Sequence, residues 1–71
     1  MKDLGVKAAR KDAGFSQNEM ADTLGMGRNS YIDWENGNRE ISGDKFTTFC
    51  KLCGRKPEEL RVAKVFYVRA I

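Results

Sequence analysis

The chain has 71 residues, 41% of them hydrophobic, and a formal charge of +3 from 13 basic and 10 acidic side chains. A chain of this size buries only about 60% of the surface that its unfolded form exposes, which leaves room for one domain, with its core over 2–61 and a tail over 62–71, and none for a deep substrate cavity. No stretch approaches the roughly 18 apolar residues of a membrane span and the N-terminus lacks the apolar core of a secretory signal, so no membrane partner and a cytoplasmic location are expected.

Val6, Ala9 and Ala13 recur at helical spacing and predict a first helix from about Lys2 to Ala13, with Leu4 joining its apolar face and Gly14 as its stop. Gly5 weakens the first turn by about 1 kcal/mol relative to alanine. Ser16 and Glu19 stand three apart, the spacing at which each side chain satisfies the other's free backbone N–H in a capping box. Phe15 before the cap and Met20 at the fourth helical position supply a hydrophobic staple. Box and staple coincide at one boundary and predict a second helix from Gln17 to Leu24, ended by Gly25.

Between Arg28 and Asn36 the spacing defines two faces. At about 100° per residue, Arg28, Asn29, Ile32, Asp33 and Asn36 share one arc of a helix, while Tyr31 and Trp34 share the opposite one. The aromatic arc turns inward and the polar arc outward. Gly37 supplies the left-handed residue after the helix, giving it about two and a half turns, a length that suits a DNA major groove.

Asn38, Arg39, Glu40 and Ile41 read as a polar loop. Ser42 caps a further helix that runs to Cys53 with Phe46, Phe49, Cys50 and Cys53 on one apolar face, predicted to close the core under Trp34 and Leu24. Cys50 and Cys53 form a C-x-x-C, but the chain has no histidine and no third cysteine. Zinc would lack its usual four ligands, and free thiols packed as small hydrophobes are expected, with no metal and no cofactor. After Gly54, Pro57 opens a short fifth helix with Glu58 and Glu59 at its positive end and Leu60 as its anchor. In the tail, Val65, Phe66, Tyr67 and Val68 favour a strand, although Leu60, Ala63, Lys64, Tyr67 and Ile71 also fit a helical line. A domain this small cannot hide all of these apolar groups alone. The tail either folds back over the first and fifth helices or pairs with a second copy.

Ser16-Gln17, Glu19, Ala21, Leu24-Gly25, Arg28, Trp34-Glu35 and Gly37 together resemble the helix-turn-helix pattern of the Cro/cI-type (XRE-like) DNA-binding family, over about Val6 to Leu60. Ala21 is small where two helices would cross, and Gly25 supplies the turn between them. The resemblance implies an all-α, compact five-helix, lambda-repressor-like domain. It also implies a DNA-binding transcriptional regulator of the phage or prophage repressor kind, with an ion pair between Arg10 and Glu35 beneath the DNA-binding face.

In that frame Arg28 suits guanine and Asn29 adenine through paired hydrogen bonds, Ile32 packs on a thymine methyl, and Asp33 accepts from the cytosine amino group. Gln17 would touch a phosphate or a base edge, and Asn18 and Asn36 would contact the backbone. Arg39 and Lys45 are phosphate candidates, with plain solvated charges as the alternative. A homodimer joined through the tail would set two such helices about 34 Å apart on double-stranded DNA. The chain departs from the family pattern at two positions. Gly27 stands where a serine cap is usual, and Asp33 brings negative charge towards phosphates. Asp33, the outward Ile32 and the apolar tail also suit another class, a small modulator or antirepressor whose partner is a repressor protein. An enzyme is not expected, because the chain has no nucleophile beside a base and no phosphate-cradling loop, and no small-molecule ligand is foreseen.

Overall fold

In the computed structural model, which describes residues 5–60 and 63–66, four α-helices enclose one apolar core. They are α1 (Val6–Asp12), α2 (Gln17–Thr23), α3 (Arg28–Glu35) and α4 (Gly43–Cys53). Ile41–Ser42 (β1) precedes α4, a 3₁₀ turn spans Pro57–Leu60, and Val65–Phe66 (β2) pairs with β1 in parallel, Ile41 opposite Val65.

Helix α2 starts where its capping signals lie. Ser16 Oγ accepts from the Glu19 N–H at 3.1 Å, and Glu19 Oε1 accepts from the Ser16 N–H at 2.9 Å. Those bonds from Ser16 hold the Glu19 carboxyl below the usual carboxylate range. Met20 and Ala21 are buried, and Phe15 packs against the core at its edge. Gly25 then takes a φ of +69°, and the Met26 N–H reaches back to the Ala21 carbonyl at 2.8 Å, closing the turn into α3. An L side chain is strained in that backbone region, which is why glycine stands there.

The core is Val6, Ala9, Met20, Ala21, Leu24, Tyr31, Trp34, Ile41, Phe46, Phe49, Cys50 and Leu60. Trp34 is its centre, meeting Tyr31, Phe46 and Phe49 edge-on with ring centroids 5.7, 6.4 and 5.2 Å apart, geometries that align ring edges with ring faces. The apolar face of α4 thus closes the core beneath Trp34.

Three expectations are corrected. Helix α1 begins at Val6, because Gly5 is extended at φ −74° and ψ 150° and serves as the cap; the Lys2–Leu4 start lies outside the described residues. The fifth helix is only a 3₁₀ turn of four residues, too short to sustain an α-helical ladder, with Lys56 N–H held by Glu59 Oε1 at 3.1 Å. Ile41 is no part of a polar loop: it is 3% exposed and sits in β1. The described part of the tail is extended at Val65–Phe66, as expected, and lies along β1 and α4; the stretch from Tyr67 to Ile71 lies outside the described residues.

Ser16→Ala removes one half of the capping box and should lower stability by about 1 kcal/mol, which for a domain of this size corresponds to a fall in melting temperature of about 4 to 8 °C. Thermal unfolding followed by circular dichroism checks this, and an unchanged midpoint would show that the box contributes nothing.

Candidate nucleic-acid interface

The outward face of α3 is set by what fixes its inward face. Glu35, at the last helical position, has a side chain only 1% exposed, and it accepts hydrogen bonds from two other helices and from its own. Arg10 Nε of α1 donates to Glu35 Oε2 at 2.8 Å and Arg10 Nη2 to Oε1 at 3.2 Å, a two-pronged ion pair. Gln17 Nε2, from the first turn of α2, donates to Oε1 at 3.1 Å, and the Tyr31 hydroxyl, one turn back on α3, donates to Oε2 at 2.7 Å. Arg10 Nη1 also donates to the Phe15 carbonyl at 2.8 Å, tying in the α1–α2 connection.

A buried carboxylate is expensive unless its lone pairs are filled. Burial pushes the Glu35 carboxyl up, but the hydrogen bonds from Arg10, Tyr31 and Gln17 outweigh it, and the net shift is downward. The same hydrogen bond to Glu35 raises Arg10, against the opposing effect of burial. Burial, and then the hydrogen bond to Glu35, pushes the Tyr31 phenol far up, so it stays a donor. Among the described residues, every buried side-chain nitrogen or oxygen has a hydrogen-bond partner.

With Tyr31 and Trp34 buried and Glu35 held, Arg28, Asn29, Asp33 and Asn36 all stand exposed on the other side of α3, and Ile32 is half-buried at its margin. Asn18 is exposed on α2 and Arg39 is exposed beyond the helix end, whereas Lys45 is half-buried in the first turn of α4. Gln17 is half-buried with one amide hydrogen committed to Glu35, so only its amide oxygen and its other N–H remain for a ligand. Gly27 caps α3 without a side-chain bond.

A family model described as helix-turn-helix matches residues 6–60, from the first residue of α1 to the end of the 3₁₀ turn. The chain belongs to the Cro/cI-type (XRE-like) helix-turn-helix family. No curated protein and no solved structure matches it. This is a family of DNA-binding transcriptional regulators, and the helix-turn-helix of this member is α2, Leu24–Gly27 and α3. Among the described residues no helix is long and apolar enough to cross a membrane. Among the same residues, no group of three or more His, Cys, Asp or Glu side chains could hold a metal ion. Cys50 and Cys53 are free thiols, the first buried and the second half-buried, and burial raises both, Cys50 to about 11. Thiols held protonated in this way make poor nucleophiles.

Two features of this helix-turn-helix were not read from the sequence. By periodicity Tyr31 belongs only to the core and Gln17 only to the ligand face, yet both serve Glu35. The four-residue spacing of Tyr31 and Glu35 was a usable signal for the first; the second depends on a tertiary approach between α2 and α3.

Arg10→Met leaves Glu35 buried without its cation and should cost about 3 to 5 kcal/mol, whereas replacing both residues by apolar ones of similar volume should recover most of that. Urea unfolding of the single and double variants checks the coupling. The pH dependence has a definite sign. Glu35 lies below its ordinary value of 4.5 in the folded chain, so its stabilising contribution is complete above that value and is lost as pH falls through the lowered folded one. Glu35→Gln should flatten this acid limb of the stability profile.

Proposed function

We propose that this chain is a sequence-specific regulator of transcription that binds double-stranded DNA through α3, as a small repressor of the phage or prophage kind acting as a homodimer on a two-fold operator. The observation that carries this reading is the two-sidedness of α3. One face is pinned by Tyr31, Trp34 and Glu35, and the other presents Arg28, Asn29, Asp33 and Asn36 to solvent. A helix fixed on its inner side and free on its outer side can hold donors and acceptors in register with base edges.

In this assignment Arg28 donates to guanine O6 and N7, Asn29 pairs with adenine, Ile32 meets a thymine methyl, and Asp33 accepts from the cytosine amino group. Asn18, Asn36, Arg39 and Lys45 contact the sugar-phosphate backbone, and Gln17 uses the part of its amide that Glu35 leaves free. The 71 residues act as one domain, with the core over 2–61 and the tail over 62–71 making the dimer. Support for a role of the tail in pairing comes from Phe66, 45% exposed on β2, and from the edge of β2 away from β1, which has no partner among the described residues.

A second reading, in which the chain modulates another repressor by binding it, is favoured by one observation. Asp33 lies exposed in the middle of the α3 face, where a phosphate-lined groove penalises a carboxylate unless it meets a donor.

Selection from random duplexes separates the two. The DNA reading expects enrichment of a two-fold site, affinity that falls steeply with salt, and a loss of about 1 to 3 kcal/mol with relaxed discrimination at one base position in Arg28→Ala. Failure to enrich any motif, with a repressor captured directly by the purified chain, would transfer the assignment to the modulator.

A further inference from the structure

The start of the described tail is locked to the DNA-facing unit through one carbonyl. Lys64 O accepts from the Trp34 indole N–H at 2.8 Å and from the Ile41 backbone N–H at 3.2 Å, so both of its lone pairs are engaged, one by α3 and one by the strand that follows it. Ala63 N–H is in turn bonded to Leu60 O at 3.0 Å. Lys64 is therefore fixed at its backbone relative to α3, while its side chain is exposed.

That side chain and Arg39 line the same open recess, formed by Asn38–Glu40 on one side and Ala63–Val65 on the other, just beyond the C-terminal end of α3. Among the described residues the ion pairs involve Arg10 and Arg55 as cations, not Arg39 or Lys64. Glu40, the one carboxylate of the recess, is exposed and unpaired in the same sense. The recess is open to solvent rather than enclosing, a shape suited to an anion carried on a larger body.

We infer that Lys64 and Arg39 form a two-cation clamp for a phosphodiester of the duplex backbone, so that the tail contributes directly to DNA binding. This rests on the DNA-binding reading above. The recess lies just beyond the C-terminal end of α3, next to the exposed Asn36, and in the DNA-binding reading a backbone strand passing that end of the helix would come within its reach. The Trp34–Lys64 bond fixes the backbone of Lys64 against the inward side of α3, and its flexible side chain reaches out from there. Glu40 tempers the clamp, and its removal should strengthen it.

The test is the salt dependence of binding to the selected duplex. Lys64→Gln keeps the backbone carbonyl, so the emission of Trp34, the only tryptophan, should be unchanged and report a docked tail. Its slope of log affinity against log salt should become shallower by about 0.9, shrinking the advantage of the unaltered chain about 3.5-fold between about 50 and 200 mM salt. The loss should be equal across operator sequences. Arg39→Gln should behave alike, Glu40→Gln should steepen the slope, and Lys51→Gln, an exposed cation on α4 outside the recess, should leave it unchanged. An unaltered slope in Lys64→Gln with binding retained overturns the clamp alone. Absence of duplex binding by the unaltered chain removes both the clamp and the reading beneath it.

Discussion

Glu35 is the point at which three helices are held in one arrangement. Four hydrogen bonds converge on its two oxygens, from Arg10 of α1, Gln17 of α2 and Tyr31 of α3. A lone buried carboxylate would cost several kcal/mol, and even a paired one stabilises little relative to an apolar replacement. The network is better understood as a device for geometry. An apolar plug tolerates rotation and sliding of α3, whereas a two-pronged guanidinium, a phenol and an amide meeting one carboxylate permit a single orientation. The outward face of α3 is consequently aimed, and its exposed side chains inherit that precision.

The same helix has a second anchor one residue earlier. Trp34 is the largest of the fully buried side chains and cannot leave its indole N–H unpaired there. The acceptor comes from Lys64, thirty residues on. This makes the described tail part of the core's polar accounting rather than an appendage. It also explains why so short a strand pair persists: β1 and β2 are two residues each, and two-residue strands are held by what lies beneath them. Ile41 and Val65 face each other across the pairing and both pack into the core, Ile41 buried and Val65 half-buried.

Legibility followed the range of the interactions. Helix α2 could be read from Ser16, Glu19, Phe15 and Met20 because its start is specified within six residues. The two faces of α3 and the apolar face of α4 followed from helical period alone. The elements that were misread depend on distant partners. Pro57 and the acidic pair after it are good helix-start chemistry, but the helical stretch that follows is a four-residue 3₁₀ turn, Pro57–Leu60. Ile41 sits among Arg39, Glu40 and Ser42 and reads as loop; only its partner Val65, across a parallel pairing, explains its burial. Gln17 reads as a ligand contact by position and is half spent on Glu35, an approach that no local pattern encodes.

Charge placement then decides what kind of binding this surface favours. The net charge of +3 is small, so a long-range field contributes little affinity. Several acidic groups already have partners within the chain, although only Glu35 among them has a buried side chain. Glu35 is with Arg10, Asp12 and Glu59 are with Arg55, and Glu19 is in its capping box. Exposed on α3 or in the recess beyond its end there remain Arg28, Arg39 and Lys64 against Asp33 and Glu40. Such a near-balanced surface gains little from polyanions in general, because the carboxylates offset part of what the cations contribute. It gains more where each acceptor meets a donor and each cation a phosphate or a guanine. If the proposed DNA contacts hold, a surface of this composition would trade non-specific affinity for discrimination, the more so because its helix is held rigid from beneath.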